Sequence, residues 1–191
     1  MSLWDNFGDA LFAGGRRLSF LISRRFWGIS PNMKDPILLI DIICDVYDNP
    51  KYLPREDGTT FCNLAAQDIC HAYGCNDFDG KDADQIYNFV RNSPNWKVQG
   101  MHDVQILANV GTLIFAVIPS VVLRQAHGHI CVVRPGKLKD SGKWGLCPSV
   151  MNIGAENFIG RAKRGPLTGL PCGVNESFVP IPEFFAYVQS L

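Results

Sequence analysis

The part of this sequence best equipped for chemistry is one cysteine followed much later by histidines. Cys62 closes the run Asp57-Gly58-Thr59-Thr60-Phe61-Cys62, where an apolar helical periodicity begins. A thiol in the first turn of a helix meets unpaired backbone N–H groups and the positive end of the helix dipole, both of which favour thiolate. The backbone N–H of Cys62 can also help hold a developing oxyanion. A thiol nucleophile needs a base, and His129, at the start of an apolar strand pattern, is the best placed of the four histidines. His127, His129 and Cys131 alternate along that segment, which leaves a second chemistry open: zinc held by all three and a ligand from another strand. No nearby carboxylate completes such a shell, and Cys131 lies in an apolar run that suits a core position. A cysteine at a helix start is more often a small buried residue than a nucleophile. The elements around it must decide.

Those elements read as helices first and a sheet afterwards. Asp35-Pro36 caps and opens a helix through Tyr47, nearly apolar all round and therefore buried, yet too short to span a membrane. The polar stretch 49–60 is a loop. A helix then starts with Thr59 or Thr60 as cap, carries Cys62, Ala66, Ile69 and Tyr73 on one face, and stops at Gly74. Further helices are expected over 82–91, with Ala83, Ile86, Tyr87 and Val90 inward, and over 103–110. The period changes at Thr112. Residues 112–118 and 129–134 read as strands, with weaker strand signals at 143–146, 149–153 and 177–181, and a last helix is expected from Pro182 to Val188. The fold class is therefore α+β, with a small antiparallel sheet.

Composition limits what such a domain can do. The chain has 191 residues, 47% hydrophobic and 19% charged, with 18 basic and 18 acidic side chains. This is enough for one self-supporting core and too apolar for a disordered chain. Zero net charge gives no basic footprint for nucleic acid. The zero is a cancellation, since residues 35–103 carry 12 acidic and 5 basic side chains and residues 134–164 carry 7 basic and 2 acidic. Seven cysteines without a CxxC pair argue for reduced, mostly buried thiols rather than a disulfide framework or tight zinc site. Residues 1–34 have acidic residues and paired glycines where a secretion signal would have basic and apolar ones. Their Trp4, Phe7, Leu11, Leu18, Ile22 and Phe26 recur at near-helical spacing, so a helical extension is expected there. Its four arginines suit contact with a partner protein or a membrane surface.

Taken together, three segments resemble a known superfamily. They are Asp57 to Asn63, the strand His127-Gly128-His129-Ile130-Cys131-Val132-Val133-Arg134-Pro135-Gly136, and Val150-Met151-Asn152-Ile153-Gly154. They are similar to the papain-like cysteine amidases and peptidases, chiefly the CHAP and NlpC/P60-type cell-wall hydrolases found also in phage lysins and toxic effectors. The resemblance covers roughly residues 47–158 and implies a papain-like domain over 35–191 in which the nucleophile helix packs on a small antiparallel sheet. It implies Cys62 as nucleophile, His129 as base with His127 as alternate, and Asn152 as the residue that orients the base. Asn157, and more distantly Glu156, compete for that last role. An Asn there, with no third histidine downstream, fits the CHAP-like pattern better than the NlpC/P60 one.

The implied activity is cysteine-dependent cleavage of an amide bond in bacterial peptidoglycan, either the muramoyl–L-alanine bond or one in the stem or cross-bridge peptide. It needs no metal or organic cofactor. The basic stretch 137–164 could meet anionic wall material, and a toxin of this type would need an immunity or inhibitor protein. Two other readings stand beside it: a protein-directed cysteine peptidase, deamidase or acyltransferase, and a catalytically inactive binding or structural module of a phage or secretion particle. With no signal peptide expected, synthesis in the cytoplasm and action at the wall or periplasm would require lysis or non-classical export.

Overall fold

The structure is a computed structural model that describes residues 35–140, 144–154 and 181–188. The helical extension expected over 1–34, the competing Asn157 and Glu156, and residues 141–143 and 155–164 of the basic stretch lie outside these residues. So does most of the weak strand signal at 177–181.

Helix α1 (Pro36–Tyr47) starts as its sequence requires: Asp35 Oδ1 accepts the Ile37 N–H at 2.9 Å, and proline occupies the first turn. The loop that follows contains one short 3-10 turn (Pro50–Tyr52). Buried Tyr52 donates its hydroxyl to Asp68, which ties the loop to the next helix. That helix, α2 (Cys62–Tyr73), ends at Gly74 with φ 91°, a left-handed conformation that favours glycine. Its start differs from expectation. Neither Thr59 nor Thr60 caps it; the N-cap position belongs to Phe61, which makes no side-chain bond to the helix. Thr59 is drawn into a tight turn instead, in which Asp57 Oδ1 accepts the Thr59 N–H at 2.8 Å and Arg55 N–H reaches Thr59 O at 3.0 Å.

Helix α3 (Ala83–Asn92) opens with a reciprocal capping box between Asp82 and Gln85, at 2.8 and 2.9 Å. It buries Ala83, Ile86 and Val90, with Tyr87 packed at the margin. Helix α4 (Met101–Asn109) follows the short strand β1 (Trp96–Gln99). After β2 (Ile114–Ile118), a four-residue helix α5 (Ser120–Leu123) precedes β3 (His129–Val133). A hairpin of β4 (Lys139–Asp140) and β5 (Leu146–Cys147), then β6 (Val150–Met151) and β7 (Glu183–Tyr187), complete the strands.

Five strands form one antiparallel sheet in the order β1-β7-β2-β3-β6. Both faces are covered. Phe115, Val117, Ile130, Val132, Met151 and Phe185 face the layer made by α1, α2 and α3. Ile114, Ala116, Cys131, Val133, Val150 and Phe184 face α4. This explains why β2 reads as an unbroken apolar run, since each alternate side chain has a buried face to enter.

Two expectations are corrected here. Residues 183–187 form a central strand, not the last helix. The run Phe184-Phe185-Ala186 suits either state locally, and pairing with β2 on one side and β1 on the other decides it. Strand β1, unanticipated, buries only Trp96 fully; that indole stacks on Phe78 at 5.0 Å and donates to Asp77 Oδ2 at 2.8 Å. Among the described residues no helix is long and apolar enough to cross a membrane.

The far end of the β3–β6 pair is pinned by side-chain amides of α4. Buried Gln105 donates to Arg134 O at 3.0 Å and accepts the Ser149 N–H at 2.7 Å. Asn109 exchanges two bonds with the Gly136 backbone, at 2.8 and 3.0 Å. Replacing Gln105 with alanine strands a buried donor and a buried acceptor. The expected loss, read by urea denaturation, is about 2–4 kcal/mol.

Candidate functional site

His129 is the first residue of β3 and pairs with Ile118 at the last rung of the β2–β3 ladder. Asn152 follows β6, the other neighbour of β3. The register brings the two side chains together: His129 Nε2 lies 2.6 Å from Asn152 Oδ1. An amide oxygen only accepts, so Nε2 carries a proton in this bond, which leaves Nδ1 as the position where the ring can accept one. Asn152 is 5% exposed, which shields this bond from competing water.

Gly154 closes over the pair. A Cβ at that position would sit 3.2 Å from Asn152 Nδ2 and 3.3 Å from His129 Cε1. Gly154→Ala should therefore press the amide and the ring apart. Were His129 to act as a base, turnover would fall by about tenfold or more, since small misplacements of a catalytic group are costly. Stability measured in parallel should change by less than about 1 kcal/mol, the range for a contact that can relax.

Cys62 begins α2 and, as anticipated, shares its buried face with Ala66, Ile69 and Tyr73. The sulfur lies against the start of β3, where the Ile130 N–H points to it, together with the N–H groups of Asn63 and of Cys62 itself. With no side chain capping α2, the thiol takes up donors that a cap would otherwise satisfy. A narrow seam beside it is walled by Ala65, Ala66, Ile69, Ile130, Met151 and Ile153. The expectation of a favoured thiolate fails here. Burial pushes the Cys62 thiol up, and the three N–H groups offset this only in part.

Strand alternation sends Ile130 and Val132 to the α2 side with Cys62, while His129 shares the parity of Cys131 and Val133 on the α4 side. His129 and Cys62 are each the first residue of their element, but the parity of β3 directs His129 to the face opposite the one that packs on Cys62. Among the described residues, His129 bonds to Asn152 and no hydrogen bond joins its ring to the Cys62 sulfur.

The zinc alternative does not assemble. His127 is exposed in the loop before β3 and Cys131 is buried in the α4-side core. Among the described residues no group of three or more His, Cys, Asp or Glu is placed to hold a metal ion. The six described cysteines are all reduced and buried.

One contributor escaped the sequence reading. Asp84, near the start of α3, accepts the Ser120 N–H at 2.7 Å and the Gly128 N–H at 3.1 Å. Nothing in the pattern of α3 separates it from an ordinary first-turn carboxylate. Comparison with protein-family models and with curated proteins finds no match for this chain. What fold and site define directly is an α+β domain with an oriented histidine–asparagine pair, and with a buried cysteine at the start of α2.

Proposed function

We propose that this chain is a papain-like cysteine amidase or endopeptidase of CHAP-like type, acting on an amide bond of bacterial peptidoglycan. The observation that carries the reading is the His129 Nε2 to Asn152 Oδ1 bond of 2.6 Å. It fixes the ring in the tautomer a thiol partner requires, with Nδ1 as acceptor. Cys62 supports it, standing at the N-terminus of α2 beside the residue that follows His129.

At rest Cys62 is held as the thiol by its burial. As substrate enters the rim, the ring and sulfur close to bonding distance, a tightening common when unliganded sites fill. Nδ1 takes the thiol proton while sulfur attacks the amide carbon. The tetrahedral oxyanion meets the Cys62 N–H, which as a first-turn donor meets no carbonyl of its own helix. Nδ1–H then protonates the departing nitrogen as the C–N bond breaks and leaves a thioester. Water attacks that thioester, giving its proton to Nδ1, and the S–C bond breaks with the proton returned to sulfur. Asn152 orients the ring throughout without adding charge.

The test is incubation with peptidoglycan sacculi, with released fragments read by mass spectrometry. Soluble fragments are expected, and their masses name the bond. No fragments from any wall chemotype would overturn the wall substrate. A second reading, a catalytically inactive module, draws on one observation: Cys62 is 8% exposed and its thiol is pushed up. Failure to turn over both wall and peptide amides, with no acyl adduct on Cys62, would favour it.

A further inference from the structure

We propose that Asp84 is a positioning residue for His129, acting through the backbone of Gly128. The inference rests on His129 being the base of the proposed cysteine chemistry. The β2–β3 ladder ends at Ile118 and His129. Beyond it the chain makes an excursion over 119–128 that includes α5, the left-handed Arg124 at φ 55°, and Val121, 80% exposed. A loop of this kind does not by itself define where its ends lie.

Asp84 defines them. One carboxylate oxygen accepts the Ser120 N–H at 2.7 Å and the other accepts the Gly128 N–H at 3.1 Å. These donors lie just past the last rung on each strand, so the carboxylate extends the ladder by a side-chain clamp. The anchor is firm on its own side, because α3 is fixed by its capping box and its three buried side chains. The contact is also fitted at the loop. A Cβ on Gly128 would lie 2.9 Å from Ile118 O and 3.1 Å from Asp84 Oδ1, so only glycine admits the carboxylate this closely. His129, the next residue, is then held from three directions: by β2 across the ladder, by Asn152 at Nε2, and by Asp84 through the preceding peptide.

An ionised carboxylate is the side chain this clamp needs, since both partners are donors. Asparagine keeps one acceptor and turns an NH2 toward the other N–H. Alanine keeps none.

The test uses full-length, 15N-labelled protein without substrate, so it reads the clamp separately from any activity. The Nε2–H resonance of His129, assigned by its absence in His129→Gln, reports the bond to Asn152. Exchange of that proton should speed up by about tenfold or more in Asp84→Ala and by less in Asp84→Asn, with circular dichroism unchanged. Gly128→Ala, which crowds the clamp from the other side, should behave like Asp84→Ala. Unchanged Nε2–H exchange in folded variants overturns the proposal. Global unfolding of all three variants would also overturn it, in favour of a purely structural carboxylate. Where the parent chain cleaves its substrate, Asp84→Ala should lower kcat about tenfold or more with KM little changed. A parent without activity that still shows the exchange effect would remove the proposed reaction and leave the clamp standing.

Discussion

Replacing Cys62 with alanine should, on the proposed mechanism, lower amide cleavage by at least about ten-thousandfold, the scale on which removal of a nucleophile acts. The variant should fold. The site is buried and apolar, so loss of the sulfur should cost only about 1 kcal/mol, comparable to one methylene. Fragment release from sacculi measures the first quantity and thermal unfolding the second. Cleavage persisting in Cys62→Ala would remove the cysteine from the mechanism. The parent protein should also show a slow thiol. Because burial pushes Cys62 up, the thiolate fraction at neutral pH falls below that of a free cysteine. Alkylation of Cys62 by iodoacetamide should accordingly be slow at pH 7 and keep rising beyond the ordinary thiol range. A rate already level at pH 7 would mean that the environment described around the sulfur is not the one in solution.

The second large effect belongs to His129. On the proposed mechanism His129→Ala removes the acceptor of the thiol proton and the donor to the leaving nitrogen, and should cost about a hundredfold to ten-thousandfold in turnover. Asn152→Ala leaves the ring in place but frees it to rotate and to change tautomer, so its loss should be smaller. The double variant separates the roles. If Asn152 acts only through His129, then Asn152→Ala should cost almost nothing once His129 is gone, as for residues that work as one unit. Steady-state kinetics on a defined muropeptide would read all three. Equal losses for Asn152→Ala in either background would contradict the orienting role.

Sequence reading succeeds here where physical determinants are local. The Asp35 cap with its proline, the Asp82 start of α3 and the Gly74 stop all use chemistry written within one turn. The pairing of His129 with Asn152 follows from two adjacent antiparallel strands, and resemblance supplied their order. What was missed depends on partners distant in the chain. β7 is a strand because β1 and β2 flank it, and no window around Phe184 contains either. Asp84 matters because its carboxylate meets two N–H groups 36 and 44 positions away. The raised Cys62 thiol is a contest of opposing terms: a helix start favours thiolate, but the packing of α2 on the sheet removes solvent. Only the packed structure gives the balance.

The place of β7 in the sheet has a further consequence during synthesis on the ribosome. Residues 183–187 insert between β1 and β2, two strands made long before them. Until that segment emerges, β1 has no partner among the described strands, and β2 has only β3. The nascent chain therefore holds Cys62, His129 and Asn152 for some time before it holds a closed sheet. Bare edges of this kind invite pairing with other chains. Chaperone dependence and aggregation during expression should consequently track delays in translating the region before residue 183, whereas the same delays nearer residue 60 should matter far less.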